Sequence, residues 1–495
     1  MLGLKKIILA KQTKETDTHT INQEGISSLD LMERASVAFV CAIENNICKN
    51  QKIAVVCGIG NNGGDGFAIA RILQAKGYYV ETVLIKINNN LSLDCKTNFN
   101  KLTKVTIIAS EDDVFDFSKF DIIIDAIFGS GLSRKVEGLA AKFIQYINDA
   151  KKHVISVDIP SGLYCDKLPD SNFIVKSDLT ISFQRPKRSF FFQESNQYIK
   201  DCKVIDIGLD ENFIQQQPTN IFVLDSAITK SVKKREKHAH KGTFGHSLII
   251  AGSYGKIGAA VLASKACLKA GTGLLTTYIP KCGYEILQIS TPEAMCLTDK
   301  KKTYISKLPD ISSYNSIGIG PGLGKNTLTK EVLKQLFKSI KVPLVLDADA
   351  LNIISENREL IDNIPKNSIL TPHPKEFKRL VGPWKTTEEC FKKQKHFAKE
   401  HKCIVVLKGA NTCVCNLEGT LFFNTSGNPG MATGGSGDVL TGIITGLLAQ
   451  GYLPLKAALI GVYFHGKAGD DATKQKGENA LIASDIINYL KIEND

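Results

Sequence analysis

Long apolar runs are absent from this sequence of 495 residues. No run approaches the roughly 18 residues of a transmembrane helix, and the N-terminal apolar run, residues 7–10, is too short for a signal peptide. CxxC pairs are absent as well, although the chain has 13 cysteines, an odd and scattered set. We therefore expect reduced, mostly buried thiols, a cytoplasmic protein and no membrane partner.

The sequence also lacks the patterns that accompany nucleic-acid binding. Its net charge is +12, but the lysines are scattered and no basic face is interleaved with aromatic residues. The basic run Lys233–Lys237 is interpreted as a solvated segment, so we expect no nucleic-acid partner. With 43% hydrophobic and 23% charged residues, a chain of this length predicts a globular protein of two domains whose surface mildly attracts anionic nucleotides.

The first half alternates short apolar runs with helical patterns. Residues 20–46 have the apolar spacing of one helix, which Ser28 or Asp30 could cap. Near-continuous apolar strands separated by helices are typical of a parallel sheet covered on both faces, so this half is predicted to be a Rossmann-like three-layer α/β sandwich. The predicted strands are Ile53–Cys57, Tyr79–Ile85, Val105–Ile108, Ile122–Ile127, Val154–Val157 and Leu179–Phe183.

Three of these strands end in polar segments that contain glycine. They are Gly58–Gly66, which precedes a predicted helix from about Phe67 to Lys76, then Asp125–Leu132 and Asp158–Gly162. The first resembles a dinucleotide-binding GxGxxG loop, but paired Asn residues and an Asp break its spacing. Any one such segment is more often a turn, whereas three at the carboxyl edge of one parallel sheet predict a ligand site.

The motifs NNGGDG, DAIFGSGL and DIPSG, with INQEGISSLDLMERA before them, resemble the N-terminal epimerase domain of the NAD(P)H-hydrate repair enzymes over roughly residues 10–215. The resemblance implies a potassium ion held by Asn62, Asp125 and Ser161, whose oxygen ligands suit a hard, weakly bound cation. It also implies a set of contacts to the hydrated nucleotide: Asn61, Asn62, Gly63, Gly64, Asp65, Gly129, Ser130, Gly131, Leu132, Ser133, Arg134, Lys135 and Asp158.

Epimerisation has to break and remake a bond at C6 of the hydrated nicotinamide ring, and this requires a general acid–base group. The lone pair of the ring nitrogen can stabilise an opened or a cationic intermediate. Asp158 is the first candidate for the proton transfer, and Asp65 is the second. Both side chains could instead orient the ribose or a phosphate.

In the second half, the stretch Gly427–Gly451 runs from turn-forming residues into an apolar helix face. Gly434, Gly435 and Gly437 lack Cβ atoms, so backbone N–H groups can turn toward a ligand oxygen, and the helix N-terminus suits phosphate. Asp438, where the loop becomes helix, is placed to take a proton from a hydroxyl that attacks phosphorus. The alternative is a tight turn with an Asp helix cap.

Other strand ends of this half carry carboxylates and a histidine. A strand is predicted at His246–Ala251, and Pro343–Ala350 is predicted to be a buried strand with Asp347 and Asp349 at its tip. These two carboxylates could belong to a Mg²⁺ shell, orient the substrate or cap the strand end. His373 lies between two prolines that stiffen its backbone, and we expect it to contact a ligand.

The motifs GPGLG, LDADAL, TPHPKE, KGANT and NPGMATGGSGDVL resemble, in this order, the dehydratase domain of the same repair enzymes over roughly residues 225–490. The resemblance implies a ribokinase-like α/β fold and Mg²⁺ with ADP or ATP. It further implies that Ala259, Gly322 and His373 contact the hydrated dinucleotide. Asp438 is implied to meet the C6 hydroxyl. The implied adenine-nucleotide contacts are Lys408, Gly409, Ala410, Asn411, Thr412 and Gly437, with Asn411 standing where Gly is common.

Together the two resemblances predict a bifunctional repair enzyme, with an epimerase domain at residues 1–220 and an ADP-dependent dehydratase domain at residues 221–495. The first domain would interconvert the R and S forms of NADHX and NADPHX. The second would phosphorylate the C6 hydroxyl of the S form from ADP or ATP, and loss of phosphate would restore NAD(P)H. A homo-oligomer is expected. The alternatives are a ribokinase-like small-molecule kinase with an N-terminal nucleotide-binding module, and a first half that is an interaction domain without catalysis.

Overall fold

The computed structural model describes residues 4–494, which fold into two compact units. One unit is Lys6–Thr219, and the other begins at Asn220 and includes residues 4 and 5. Each unit has its own sheet and its own hydrophobic clusters. No helix within residues 4–494 combines the length and the apolar character needed to cross a membrane. All 13 cysteines are free thiols.

The described chain opens with a two-residue strand, β1 (Lys5–Lys6), and the N-terminal unit follows. Its helices are α1 (Ala10–Glu24), α2 (Ser28–Ile43), α3 (Asn61–Ala75), α4 (Leu93–Asn100), α5 (Gly138–Asp149) and α6 (Glu211–Gln216). Its strands are β2 (Lys52–Cys57), β3 (Tyr79–Ile85), β4 (Thr106–Ile108), β5 (Ile122–Ala126), β6 (His153–Val157), β7 (Leu179–Phe183) and β8 (Cys202–Ile205).

The strands of this unit form one parallel sheet in the order β4-β3-β2-β5-β6-β7-β8. Neighbouring residues of β2 point to opposite faces, so Val55 packs in one hydrophobic cluster with α2 and α3, and Val56 packs in another with α5. This arrangement confirms the predicted three-layer α/β fold. The strand order reverses between β2 and β5, so the crevice at their carboxyl ends is the topological switch point.

The single helix predicted over residues 20–46 is wrong, because the structure has two helices there. Gly25 adopts a left-handed conformation with φ of +67° and ends α1. The cap of α2 is Ser27, not Ser28 or Asp30: the Ser27 hydroxyl accepts from the Asp30 N–H, and the Asp30 carboxylate accepts from the Ser27 N–H. This reciprocal capping box starts the second helix.

The predicted loop Gly58–Gly66 is also shorter than expected. Helix α3 begins at Asn61, so the NNGGDG motif lies in its first two turns instead of preceding a helix that starts near Phe67. A Cβ on Gly63 would lie 1.9 Å from the carbonyl oxygen of Gly58, which means that the helix start packs directly on the end of β2. The first free N–H groups of α3 therefore lie at the switch point.

The C-terminal unit has helices α7 (Ile257–Lys269), α8 (Tyr284–Ser290), α9 (Thr327–Ser339), α10 (Ala348–Ser355), α11 (Arg358–Asp362), α12 (Pro374–Val381), α13 (Thr387–Glu400), α14 (Ser436–Ala449), α15 (Pro454–Lys476) and α16 (Ala483–Tyr489). Its strands are β9 (Ile221–Leu224), β10 (His246–Ile250), β11 (Leu274–Ile279), β12 (Met295–Thr298), β13 (Ser316–Ile319), β14 (Leu344–Leu346), β15 (Ile369–Leu370), β16 (Ile404–Leu407), β17 (Cys413–Cys415) and β18 (Leu421–Asn424).

These strands lie in an eleven-stranded sheet in the order β1-β9-β18-β17-β16-β15-β14-β13-β10-β11-β12. Strands β10 to β16 pair in parallel, and β17 pairs antiparallel with both of its neighbours, β16 and β18. The order reverses between β13 and β10, which is the switch point of this sheet. The predicted strand Pro343–Ala350 is wrong at its end, because β14 stops at Leu346 and Asp347 leads into α10.

Helix α14 lies in the core of this unit, with 12 of its 14 residues buried. It packs closely on α7, since a Cβ on Gly442 would lie 2.1 Å from the carbonyl oxygen of Ala263, and one on Gly446 would lie 2.6 Å from that of Cys267. The two helical glycines let the backbones approach. The glycine loop before α14 is thus fixed to a buried helix.

Candidate active sites

A cavity of about 710 Å³ lies at the carboxyl ends of the strands in the N-terminal unit. It is lined by the start of α3, the segment after β5, the end of β7 and one face of α1. The sequence-predicted residues that line it are Asn61, Asn62, Asp65, Gly129, Ser130, Gly131, Leu132, Ser133, Arg134 and Asp158. The glycine-rich segments of the sequence therefore predicted this part of the cavity wall.

Three of the predicted nucleotide contacts do not line this cavity. A Cβ on Gly64 would lie 2.8 Å from the Met32 sulfur, so Gly63 and Gly64 both serve close packing of α3. The Lys135 ammonium is 3.1 Å from the Glu137 carboxylate, and both side chains are largely exposed. Contact of these three residues with a nucleotide stays a prediction.

Asp158 lies at the centre of the cavity wall in a buried ion pair. Its Oδ1 is 2.6 Å from the Lys187 ammonium and accepts from the N–H of Phe183 at 3.0 Å, while both charged side chains are less than 10% exposed. Burial opposes the charge of Lys187, but the Asp158 carboxylate outweighs it and the pKa of Lys187 is raised. The backbone of Asp158 has φ of +65°, a conformation rare for a residue with a side chain.

Helix α1 supplies cavity residues that the sequence reasoning missed. Ala10, Thr13, Lys14 and Asp17 are spaced to share one helix face, and all four line the cavity. Burial, then the Asp158 carboxylate, raise the pKa of Asp17 to about 6, against the opposing effect of Lys187. Lys187 lies shortly after the end of β7. Inspection of the segment that follows this strand would have identified it as a candidate.

Asp65 on α3 is the second sequence-based candidate for proton transfer. Burial raises its pKa well above the usual value, and the nearby carboxylates of Asp158 and Asp17 add to this effect. The cavity thus combines three carboxyl groups with one buried ammonium. Such a set can exchange protons with a bound ligand and hold one charged group of it.

The residues implied to hold potassium lie beside this cavity. The Asp125 carboxylate is fully buried and accepts from the Ser161 N–H and the Ser156 hydroxyl, both at 2.9 Å. Burial raises its pKa against the effect of those hydrogen bonds, and no ion pair reaches it from the described residues. The amide nitrogen of Asn62 is buried without a hydrogen-bond partner there. A buried carboxylate that lacks a cationic side chain and lies beside a serine hydroxyl fits a monovalent cation.

Two further cavities lie at the carboxyl ends of the strands in the C-terminal unit. The larger, of about 720 Å³, is lined by the residues predicted to hold the adenine nucleotide, with the exception of Asn411: Lys408, Gly409, Ala410, Thr412 and Gly437. The smaller, of about 430 Å³, lies at the switch point and is lined by Ala259 and Gly322, two predicted substrate contacts. Most of the residues predicted to contact the adenine nucleotide and two of those predicted to contact the substrate therefore line different cavities.

Asp438 lines both of these cavities, as do Ala348 and Glu376. It is in the first turn of α14, whose free N–H groups face the larger cavity. Burial raises the pKa of Asp438 to about 7, with a further contribution from Asp347 and an opposing one from Lys408. A carboxyl group with this pKa can accept a proton near neutral pH, at the place where two ligands would meet.

Asp347 organises the wall beside Asp438. Its Oδ1 is 2.8 Å from the Lys408 ammonium, and its Oδ2 accepts from the Thr441 hydroxyl at 2.7 Å. The side chain makes no cap hydrogen bond to α10, so the sequence alternative of a capped strand end does not describe it. Asp349 accepts instead from the N–H of Gly324 at 2.8 Å.

His373 caps helix α12, because its Nδ1 accepts from the N–H groups of Lys375 at 3.1 Å and Glu376 at 3.4 Å. Burial lowers its pKa, followed by the charge of Lys408, which favours the neutral ring. The residue lines the larger cavity, with the predicted nucleotide contacts, and not the smaller one. Its predicted contact with the hydrated dinucleotide stays a prediction.

The start of the glycine-rich stretch is held by α15, which the motif analysis did not anticipate. The Asp470 carboxylate accepts from the N–H of Gly427 and the side-chain amide of Asn428, both at 2.9 Å. His465 on α15 is half-buried against the start of α14, where its Nε2 lies 3.0 Å from the carbonyl oxygen of Ser436. Burial lowers the pKa of His465 to about 4, so the ring is neutral at pH 7.

Comparison with known proteins agrees with this two-part arrangement. The sequence model described as NAD(P)H-hydrate dehydratase matches residues 247–491, and the one described as YjeF-related protein N-terminus matches residues 28–189. In the C-terminal unit, a ribokinase-like superfamily protein from Enterococcus faecalis aligns at a TM-score of 0.50 and 27% identity, over 56% of this chain and 99% of that one. The predicted ribokinase-like fold is confirmed.

Two curated relatives span both units. A bifunctional NAD(P)H-hydrate repair enzyme from Moorella thermoacetica is 35% identical, over 98% of this chain and 96% of that protein. A second one, from Coxiella burnetii, is 33% identical, over 97% of this chain and 98% of that protein. The chain therefore belongs to the family of bifunctional NAD(P)H-hydrate repair enzymes.

Proposed function

We propose that this chain repairs hydrated nicotinamide nucleotides in two steps. The N-terminal unit interconverts the R and S forms of NADHX and NADPHX, and the C-terminal unit dehydrates the S form to NADH or NADPH at the expense of ADP or ATP. The observation that carries the proposal is the position of Asp438, which lines both cavities of the C-terminal unit. A phosphoryl donor in one cavity and a hydroxyl acceptor in the other would meet at this carboxylate.

The dehydratase step follows from that arrangement. The adenine nucleotide lies in the larger cavity against Lys408–Thr412, with its phosphates at the N-terminus of α14. Asp438 takes the proton of the C6 hydroxyl in the smaller cavity, and the hydroxyl oxygen attacks the terminal phosphoryl group. The hydroxyl becomes a phosphate leaving group, which the lone pair of the ring nitrogen expels. Loss of a proton from the neighbouring carbon then restores the nicotinamide ring.

Mg²⁺ would accompany the nucleotide and screen the charge of its phosphates. Within residues 4–494, no group of three or more His, Cys, Asp or Glu side chains is arranged to hold a metal ion. Mg²⁺ in kinase-type sites is usually bound through the phosphates with one or two carboxylates, and Asp347, Asp438 and Glu376 lie in the wall to supply them. The residues present fit that mode of binding.

The epimerase step uses the N-terminal cavity. Its walls supply the contacts for the dinucleotide, and Asp158 is the sequence-based candidate for contact with the reacting ring. Potassium held by Asn62, Asp125 and Ser161 would neutralise the buried Asp125 carboxylate and fix the segment after β5. The dehydratase takes only the S epimer. Because epimerisation converts the R epimer into the S epimer, both forms are repaired.

The kinase alternative and the non-catalytic first half are disfavoured, because the curated relatives match both units together. A cytoplasmic location and a homo-oligomer stay predictions. The choice between ADP and ATP, and between NADHX and NADPHX, rests on contacts in the two cavities of the C-terminal unit. Direct assay decides it.

The test uses the full chain with a mixture of both NADHX epimers, Mg²⁺, K⁺ and either ADP or ATP. Return of NADH absorbance to the full amount of NADHX with one donor would support both activities. A yield of NADH limited to the share of S epimer in the mixture would support the dehydratase activity and contradict the epimerase activity. No NADH with either donor would overturn the dehydratase assignment, and repeating the assay with NADPHX measures the preference between substrates.

A further inference from the structure

Helix α1 contributes an acidic side chain, Asp17, to the N-terminal cavity, and this side chain differs from Asp158 in one respect that it shares with Asp65. Within residues 4–494, the carboxyl group of Asp17 has neither a hydrogen bond nor an ion pair, although it lines the cavity. The Asp158 carboxylate is by contrast engaged by the Lys187 ammonium and the Phe183 N–H. Asp17 is therefore free to exchange a proton with a bound ring, whereas burial raises the pKa of the equally unpaired Asp65 well above its usual value and favours its protonated form.

We propose that Asp17 is the catalytic acid–base residue of the epimerase reaction, and that it acts by opening and closing the C6–N1 bond of the hydrated ring. The proposal rests on the epimerase function proposed above and goes beyond it by naming the residue and the bond. Asp158, held by Lys187, then serves the second role that the sequence allows, which is to orient the substrate.

The C6 carbon carries a hydroxyl oxygen and the ring nitrogen, so the centre is a hemiaminal whose two heteroatoms are about 2.3 Å apart by standard bond geometry. One carboxylic acid can reach both. Its O–H donates a proton to N1 while its other oxygen accepts the proton of the C6 hydroxyl. The C6–N1 electron pair passes to N1, and a C6 aldehyde forms. Rotation about C5–C6 and the reverse transfers give the other epimer, with the acid regenerated.

The surroundings of Asp17 make both of its protonation states accessible near neutral pH. The charged groups that line the cavity with it are Lys14 on α1, Asp65 on α3, Arg134 after β5, Asp158 after β6 and Lys187 after β7. Burial and the Asp158 carboxylate raise the pKa of Asp17 to about 6, and Lys187 opposes them. The reaction needs the acid form, so its rate falls as pH rises through this value.

The experiment compares Asp17→Asn with Glu15→Gln in the full chain carrying Asp438→Asn, so that epimerisation alone is followed by chromatographic separation of the R and S forms. Glu15 is an exposed acid on the same helix, paired only with Lys11 at 3.8 Å. We expect Asp17→Asn to slow epimerisation by roughly 100-fold or more and to abolish the decline above pH 6. Glu15→Gln should keep the parent rate and pH profile.

Folding and mechanism have separate readouts. Asp17→Asn with Asp438 intact should dehydrate purified S epimer at the wild-type rate, which shows that the C-terminal unit is folded. Amide hydrogen exchange of β5 and β6 should match that of the parent chain, which shows that the N-terminal unit is folded. In water labelled with ¹⁸O, ring opening keeps the C6 oxygen in the inverted product. One solvent oxygen gained per inversion would overturn ring opening, and a wild-type epimerisation rate in Asp17→Asn would overturn the role of Asp17. If the chain with an unmutated N-terminal cavity does not interconvert the epimers, the proposed epimerase function itself is overturned.

Discussion

The two units place cavities at equivalent points of two largely parallel sheets but differ in what lies beside those points. The N-terminal unit has a cavity of about 710 Å³ at its switch point, between the ends of β2 and β5. The C-terminal unit has a cavity of about 430 Å³ at its switch point and a second of about 720 Å³ over the N-terminus of α14. The order of the strands thus sets the position of the first cavity, and the buried helix α14 borders the second.

The same two sites share a pattern of charges. Each pairs one buried carboxylate with a lysine, Asp158 with Lys187 and Asp347 with Lys408. Each also has a second carboxyl group in its wall with a raised pKa, Asp17 at about 6 and Asp438 at about 7. From this comparison we predict that the paired acids fix geometry and that Asp17 and Asp438 transfer protons.

The largest expected effect comes from removing the unpaired acid of the C-terminal unit. Asp438→Asn should lower the dehydratase kcat by roughly 10²- to 10⁴-fold, because the hydroxyl loses its proton acceptor. Epimerisation in the same variant should be unchanged. The matched control is Asp471→Asn, an acid on α15 whose partner is Lys474. Equal loss of both activities would mean that the substitution unfolds the chain and that the two sites are not independent.

Removing a paired lysine should act on stability more than on proton transfer. Lys187→Met leaves the Asp158 carboxylate buried without a counter-charge, which costs about 3–5 kcal/mol of local stability. The measurement is amide hydrogen exchange of β6 and β7, which reports their opening free energy. Lys200→Met, which breaks an exposed pair with Asp178, should cost about 0–1 kcal/mol. Similar values for the two variants would contradict the expectation that the buried Asp158–Lys187 pair contributes more to stability than an exposed pair.

The buried helix of the C-terminal unit offers a smaller effect. Gly442→Ala places a methyl group against the carbonyl oxygen of Ala263, so α14 has to move away from α7 at a cost of about 1–3 kcal/mol. This loss of stability is measured by thermal unfolding of the C-terminal unit and by amide hydrogen exchange in α14. A Cβ on Gly434 has no neighbouring atom within 4 Å, so Gly434→Ala is the stability control. Equal stability of both variants would show that α14 is less tightly held than its burial implies.

The smallest effect, and the sharpest comparison, is in pH dependence. The dehydratase needs Asp438 as a base, so its kcat/KM should rise about tenfold per pH unit below pH 7 and level off above it. Asp347, Asp349, Glu376 and Lys408 are the charged groups that act on it. The epimerase should show the opposite pH dependence, with a rate that declines above pH 6. Parallel profiles measured on one preparation would contradict the assignment of acid and base.

The sequence predicted much of the fold because the signals involved are local. Each of the six apolar runs named in the first half is a strand, with ends within about one residue of those predicted. Helix α1 was missed for a physical reason. Its buried residues, Gln12, Thr16 and Thr20, are polar, and side-chain hydrogen bonds such as the one from the Thr16 hydroxyl to the Gln12 carbonyl satisfy them. A search for apolar periodicity does not detect a helix of this kind.

The site was predictable where its residues lie in one segment and not where it is formed from distant ones. The segments Gly129–Arg134 and Lys408–Thr412 follow strands and contribute to cavity walls, as their glycines and polar residues indicated. The ion pair of Lys408 joins residues 61 positions apart. No spacing in the sequence encodes that contact, so the partner of Asp347 and the engagement of Asp158 had to come from the structure.

The hydroxyl of Thr441 ties α14 to Asp347, and Asp347 in turn holds Lys408. Asp438 lies one turn before Thr441 on α14, so this hydrogen bond helps to fix its height along the helix. The loop before the helix has an anchor of its own, because a Cβ on Gly430 would lie 2.6 Å from the carbonyl oxygen of Glu478. A redesign of that loop therefore has to keep Thr441 for the position of Asp438 and Gly430 for the path of the backbone.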